Sequence, residues 1–246
     1  MDPLDFTGRG VVVTGGTRGI GAAIATAFRA AGARVLVCGR SEIADTDFVR
    51  ADVRDPEQAA ALVTTAVERL GRLDVLVNNA GGAPPAPAAT ASPRLHAKII
   101  ELNLIAPLHV AQAANAVMQG QAGGGVILMV GSVSGTRPSP GTAAYGAAKA
   151  GLHHLATSLA AEWAPKVRVN SVVPGPVGGL GLDPEAVART VPMGRPATAE
   201  EVAGVCLLLA SPLASYVSGA ALAVHGGGEW PGYLADLRTT AYPPQK

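Results

Sequence analysis

Tyr145 and Lys149 stand four residues apart in Tyr145-Gly146-Ala147-Ala148-Lys149, and Ser132 lies thirteen residues upstream. Together they supply a proton donor, a cation able to tune it and a second hydroxyl. On a helix over residues 142–164, the Tyr145 and Lys149 side chains project from one face about a turn apart, so one cation acts on one phenol. An unperturbed tyrosine has a pKa of about 10, and each unit of downward shift takes about 1.4 kcal/mol of preference for the phenolate. An ammonium in a partly desolvated cleft supplies a preference of that kind. Taken alone, the same two residues also suit an ordinary amphipathic helix. What separates the two cases is whether the rest of the chain builds a cleft around them.

The elements that would position them alternate short apolar runs with longer amphipathic or Ala-rich stretches, the βαβ rhythm of a parallel sheet. Strands are expected at Val11 to Thr14, Arg34 to Cys38, Phe48 to Ala51, Val75 to Asn78, Val126 to Gly131, Arg168 to Val173 and Leu222 to Val224. Their β-branched, nearly uninterrupted apolar character suits strands buried on both faces. Helices are expected at Gly19 to Ala31, Pro56 to Leu70, Pro93 to Met118, Thr142 to Ala164 and Ala199 to Ala210. Asp55-Pro56-Glu57 and Thr198 followed by Glu200-Glu201 are helix N-terminal signals. Residues 83–91 and 120–125 read as loops, with no repeat or linker dividing the chain.

Composition narrows the function classes. The 246 residues are 48% hydrophobic, enough to bury a full core within one α/β domain spanning 1–246. The formal net charge is +1 and the lysines and arginines are scattered, so neither a nucleic-acid partner nor a membrane surface is expected. Cys38 and Cys206 form no CxxC pair and have no nearby His pair, so no metal site is expected and a reducing cytoplasm fits. The acidic start, Met1-Asp2-Pro3-Leu4-Asp5, lacks an apolar targeting core, and no apolar stretch is long enough to span a bilayer.

The first strand runs into Thr14-Gly15-Gly16-Thr17-Arg18-Gly19-Ile20-Gly21, with a helix immediately after. In that setting Gly15 permits a tight turn, Gly19 lets the backbone approach a pyrophosphate and Gly21 allows close helix packing, while the helix N-terminus offers N–H groups to the anion. A dinucleotide is the expected occupant. The second strand ends in Cys38-Gly39-Arg40-Ser41, where an NAD-preferring fold usually places a ribose-binding acid. Gly39 has no carboxylate, and Arg18 with Arg40 could clamp a 2′-phosphate, so NADP(H) is favoured over NAD(H). The alternative is that both arginines are solvated and Glu42 or Asp45 takes the ribose. Asp52, just after the third strand, is placed to cap the adenine amino group.

With these motifs the chain resembles the short-chain dehydrogenase/reductase family, in its single-domain branch, over nearly its whole length. The likeness rests on the glycine loop, Tyr145-x-x-x-Lys149, Asn78-Asn79-Ala80-Gly81, Asn103, Gly131-Ser132, Pro174-Gly175, Gly194-Arg195-Pro196, Glu200-Glu201-Val202 and Val224-His225-Gly226-Gly227. It implies a Rossmann fold, a doubly wound parallel sheet of about seven strands with helices on both faces. It also implies that Tyr145 is the acid and base, that Ser132 hydrogen-bonds the substrate oxygen, and that Lys149 tunes Tyr145 and holds the nicotinamide ribose. Asn103 would fix a proton-relaying water. The implied cofactor contacts are Gly15, Thr17, Arg18, Gly19, Ile20, Gly21, Arg40, Asp52, Val53, Asn79, Ala80, Gly81, Tyr145, Lys149, Pro174, Gly175 and Val177.

The chain departs from the family pattern in three places. Gly178 stands where the family often has a threonine bonding the carboxamide, leaving the Val177 backbone to do so. The stretch from Arg40 to Asp52 is too short for the usual helix between the second and third strands. The lid over 178–192 is short and rich in glycine and apolar residues, including Leu180, Leu182 and Val187. With little charge around Tyr145, the expected substrate is a neutral or apolar small molecule, a ketone or secondary alcohol, with a 3-oxoacyl thioester one possibility. An NAD-dependent dehydrogenase of a cyclic dihydrodiol and a non-catalytic dinucleotide sensor are the alternatives. His153 and His154 read as helix-face residues, and Arg137 as a solvated loop residue. The resemblance favours a homodimer or homotetramer assembled through the Tyr145 helix and the one before it. The extension over 229–246, with Trp230 and Tyr233, is expected to aid assembly or substrate binding.

Overall fold

A computed structural model describes residues 2–41, 47–179, 181 and 183–229. The seven expected strands form at Gly10–Thr14 (β1), Arg34–Gly39 (β2), Phe48–Arg50 (β3), Val75–Asn78 (β4), Gly125–Val130 (β5), Val167–Pro174 (β6) and Ala221–Val224 (β7). All pair in parallel in one sheet of order β3-β2-β1-β4-β5-β6-β7. The order reverses between β1 and β4, which opens a crevice beyond their C-terminal ends, where open α/β sheets bind ligands.

The helices are α1 (Gly19–Ala30), α2 (Pro56–Leu70), α3 (Pro93–Ile100), α4 (Ala106–Gly120), α5 (Ala143–Glu162), α6 (Pro184–Thr190) and α7 (Ala199–Ala210). Strand side chains alternate between the faces of the sheet. Val12, Leu36, Leu76 and Ile127 meet α2, α4 and α5 on one side. Val11, Val13, Val37, Val77 and Leu128 meet α1 and α7 on the other. The doubly wound Rossmann architecture follows from apolar runs that must be covered twice.

Two N-terminal signals work as expected. The Asp55 carboxylate accepts the Glu57 and Gln58 N–H groups ahead of Pro56, and Thr198 and Glu201 form a reciprocal capping box. At the sheet's N-terminal edge, the buried Asp74 carboxylate accepts from Gly10 N–H at 2.9 Å, Arg9 at 2.8 Å and Arg72 at 2.6 and 2.7 Å, tying β1 to the start of β4.

Two expectations are corrected. The helix foreseen from Pro93 to Met118 is broken by a π-helical segment, Glu101–Ile105, between α3 and α4. The 178–192 segment contains a helix, α6, which Asp183 caps by accepting Glu185 N–H. α5 also contributes to the core, with Leu152 and Leu159 buried and Leu155 and Trp163 packed against them. Among the described residues, large exposed apolar side chains lie mainly on or around α7 and β7, at Leu208, Leu213, Tyr216 and Leu222. Among the described residues no helix is long and apolar enough to cross a membrane.

Candidate active site

The crevice is a cleft of about 1140 Å³ running over the C-terminal ends of β1, β2, β4, β5 and β6. At its centre the β1–α1 turn is held by contacts that exclude side chains. Gly15 has a φ of +63°, in the left-handed region that glycine adopts without strain. A Cβ at Gly21 would stand 2.3 Å from the Gly15 carbonyl oxygen and 2.4 Å from Asn79 Nδ2. Asn79 donates through Nδ2 to the carbonyl oxygens of Thr14 and Gly15, and the N–H groups of Asn79 and Ala80 both donate to Thr14 Oγ1 at 3.0 Å. The Asn-Asn-Ala-Gly turn therefore braces the glycine loop. α1 begins with no side-chain cap, which leaves N–H groups of its first turn for an anion.

At one end of the cleft, Arg18, Gly39, Arg40, Ser41, Asp52 and Val53 line the wall. Among the described residues no carboxylate stands at the end of β2. Asp52, expected beside an adenine, is engaged by Arg54, whose Nε donates to both carboxylate oxygens at 2.9 and 3.2 Å and whose Nη2 closes the pair. That hydrogen bonding, against some desolvation, holds the Asp52 carboxyl below the usual range. Glu42 and Asp45, the alternative ribose acids, lie outside the described residues.

At the other end, Ser132, Tyr145 and Lys149 line the same cleft. Ser132 follows β5 and opens a 3₁₀ turn, Val133–Gly135, with its Oγ accepting Ser134 N–H at 3.1 Å, which leaves its hydroxyl proton to point toward Tyr145. Lys149 is buried, its Nζ 5.6 Å from the Tyr145 ring centroid and donating to the Val130 carbonyl at 2.8 Å. Burial pushes the Lys149 ammonium down to about 8. The phenol does not fall as the sequence suggested. Burial raises it, and a hydrogen bond with Ser132 recovers part of the rise, because the unpaired phenolate would be desolvated.

Asn103 does not line the cleft. Fully buried in the π-helical segment, it accepts Gly82 N–H at 2.9 Å through Oδ1, and donates through Nδ2 to the carbonyls of Gly82 at 2.9 Å and Ile99 at 3.0 Å. Both its amide protons are spent on backbone, and Oδ1 has given one of its two lone pairs to Gly82 N–H. The side chain fixes the Gly81-Gly82 turn, where a Cβ on Gly81 would meet Asn103 Oδ1 at 2.8 Å and Lys149 Nζ at 3.3 Å.

Pro174, Gly175 and Val177 complete the floor. Val177 forms an isolated parallel bridge with Ala197 that uses the Pro176 carbonyl and the Gly178 N–H, so the peptide groups of Val177 itself point the opposite way. The lid's far end is docked: Val191 is buried, and Met193 N–H donates to the Gly226 carbonyl at 3.1 Å. Leu180 and Leu182 lie outside the described residues, as do Trp230 and Tyr233.

Sequence reasoning missed several partners. Thr14 and Arg54 carried no motif signal. Arg137 is not simply solvated: it pairs with Glu229, Nε to Oε2 at 2.5 Å and Nη2 to Oε1 at 2.6 Å. Only the pairing of opposite charges 92 residues apart could have hinted at it. His154 is exposed as expected, whereas His153 is part-buried and turned toward the Ser132 peptide.

A family model described as enoyl-(acyl carrier protein) reductase matches residues 15–229. The chain is 39% identical to cis-4-hydroxycyclohexanecarboxylate dehydrogenase of Sinomonas cyclohexanicum, over 90% of this chain and 97% of that protein. It is 36% identical to 3α-hydroxysteroid dehydrogenase of Mediterraneibacter gnavus, over 87% and 94%. A solved structure of a 7α-hydroxysteroid dehydrogenase complexed with NADH and 7-oxo glycochenodeoxycholic acid superposes with a TM-score of 0.87 at 31% identity, covering 92% of this chain and 96% of that one. Motif order, sheet order, cleft and relatives coincide along the whole described chain, which belongs to the short-chain dehydrogenase/reductase family of oxidoreductases.

Proposed function

We propose that this oxidoreductase interconverts a neutral or largely apolar ketone and its secondary alcohol, with NADP(H) as cofactor. The observation that carries this reading is the convergence of Ser132, Tyr145 and Lys149 on the cleft that also holds the Gly15–Gly21 loop. When bound, the nicotinamide supplies or accepts the hydride. Tyr145 gives its proton to the nascent alkoxide in reduction and takes the alcohol proton in oxidation. Ser132 donates its hydroxyl proton to the substrate oxygen as negative charge develops there. Lys149 holds positive charge beside the phenol and would hydrogen-bond the nicotinamide ribose. Asn103 keeps the Gly81-Gly82 turn in place against Lys149.

The choice of NADP(H) is supported by two guanidiniums, Arg18 and Arg40, on the wall where β2 offers no carboxylate. It is supported as well by the pairing of Asp52 with Arg54, which removes an unpaired anion from beside a 2′-phosphate. The names of the relatives describe dehydrogenases of ring-borne alcohols, one of them a carboxylate, which favours alicyclic substrates. The two buried free cysteines accord with a reducing cytoplasm, and exposed Leu208, Leu213, Tyr216 and Leu222 accord with a homodimer or homotetramer. Val177 would meet the carboxamide through its free peptide groups.

The test is titration with NADPH and NADH, followed by turnover on a panel of cyclic ketones and 3-oxoacyl thioesters, with Tyr145→Phe as control. Preferred NADPH binding with turnover lost in Tyr145→Phe is expected. Preferred NADH binding would overturn the cofactor assignment, and turnover that survives Tyr145→Phe would overturn the mechanism.

A further inference from the structure

We propose that His153 is a positioning residue for Ser132: its neutral imidazole accepts the Ser132 backbone N–H and, lodged between two glycines, fixes the peptide from which the Ser132 hydroxyl projects. The proposal rests on the reading that Ser132 meets the reacting oxygen. His153 lies one turn beyond Lys149 on α5, and its Nε2 receives Ser132 N–H at 3.4 Å. Acceptance at Nε2 places the ring proton on Nδ1.

The slot around the imidazole is built by the residues flanking the Ser132 turn. A Cβ on Gly131 would stand 2.1 Å from His153 Nε2 and 2.7 Å from Cδ2. A Cβ on Gly135 would stand 2.9 Å from Cε1 and 2.6 Å from the Ala150 nitrogen. Only glycine at both positions lets the ring reach the Ser132 peptide. That bond also completes the tethering of the turn. Gly131 N–H is taken by the Val172 carbonyl at 2.7 Å, Ser132 Oγ by Ser134 N–H, and the Ser132 carbonyl by Gly135 N–H at 3.0 Å. The Ser132 N–H has His153 as its acceptor.

The charged group acting on the imidazole is Lys149 on its own helix, while Gly131, Ser132 and Gly135 meet it from the β5 end without charge. Burial first, and the Lys149 charge second, disfavour protonation of His153. An imidazolium would have no lone pair for Ser132 N–H.

Two variants of the full-length chain separate positioning from packing. His153→Leu fills the slot without an acceptor, and His153→Gln restores a side-chain carbonyl. Because misplacement of a reacting group by about 1 Å costs up to about 100-fold, His153→Leu is expected to lower kcat for ketone reduction by about 10- to 100-fold at unchanged NADPH affinity and Tm. His153→Gln should recover most of the loss. Wild-type kcat in His153→Leu, or equal losses in both variants, would overturn the proposal. So would a loss in His153→Leu beside full turnover in Ser132→Ala, since His153 would then act on something other than Ser132.

A second readout needs no turnover and decides the matter even where the functional reading fails. In protein labelled with ¹⁵N-serine, the Ser132 amide signal is assigned by its loss in Ser132→Ala. It should move with pH below about 6.5, the ordinary histidine range, in the wild type and stay fixed in His153→Leu. A Ser132 amide that titrates identically in both would overturn the proposal.

Discussion

Lys149 Nζ lies 2.8 Å from the Val130 carbonyl oxygen, a bond that holds a buried ammonium against the last residue of β5. The ammonium pKa is brought down to about 8 by burial, whereas an unfolded chain keeps the lysine proton to about 10.4. Between those values the unfolded state binds more protons, so the contribution of this site to stability is least below pH 8 and rises as pH climbs toward 10. The full effect is bounded at about 3 kcal/mol. Urea unfolding at pH 7 and pH 10 should show the rise in the wild type and a flatter response in Lys149→Met; the same rise in both would count against it.

Cofactor choice should reside in two side chains. Arg18→Ser and Arg40→Ser are each expected to weaken NADPH binding by about 10- to 100-fold, the worth of a charge-assisted hydrogen bond, while leaving NADH binding nearly unchanged. Fluorescence titration of both cofactors checks this. Parallel losses for NADPH and NADH would mean the arginines act on something other than a 2′-phosphate.

Gly21→Ala should impair the cleft without touching Tyr145. The added methyl would stand 2.3 Å from the Gly15 carbonyl oxygen and 2.4 Å from Asn79 Nδ2, so the loop and its brace must separate. A displacement on the order of 1 Å is expected to raise cofactor Kd by at least about tenfold. Isothermal titration gives the value, and an unchanged Kd would show that the loop yields elsewhere.

Asp74→Asn should destabilise the chain by about 1–3 kcal/mol at pH 7, because Arg9 and Arg72 lose their buried anion. Burial alone would raise the Asp74 carboxyl, but hydrogen bonds from Arg72, Gly10 and Arg9 together hold it below its ordinary value. Its stabilisation is therefore complete above about pH 4, the unfolded value, and is lost as pH falls through the folded one. Urea midpoints at pH 7 and pH 3 should converge between wild type and variant; a gap of constant size would rule out a charge effect.

Much of this architecture was legible in the sequence because the strands are buried on both faces. Val75–Asn78 and Pro56–Leu70 match their expected bounds, and the other strands differ by one residue at one or both ends. Gly15, Gly21 and Tyr145-x-x-x-Lys149 were legible because fixed backbone geometry demands those residue types locally. What escaped notice depends on contacts distant in sequence. The side chain of Asn103 fits a helical pattern equally well in either helix type, and only its bonds to Gly82 distinguish them. His153 looks like any helix-face residue until β5 brings Gly131 beside it. The sign of the Tyr145 shift was misjudged because spacing shows a neighbouring cation but not the depth at which the phenol is buried.

The π-helical segment also acts as a phase shifter. The Ala106 N–H reaches back five residues to the Glu101 carbonyl, one residue further than an α-helix would. One added residue rotates everything downstream by about 100° about the axis. α3 accordingly packs against α5, while α4, beyond the shift, packs against α2 and buries Val110, Ala111, Ala114 and Met118. Deleting one residue from 101–105 would heal the helix but break this timing. The shortened rod could keep Asn103 on Gly82 or keep the α4 stripe in the core, and no rigid rotation would satisfy both.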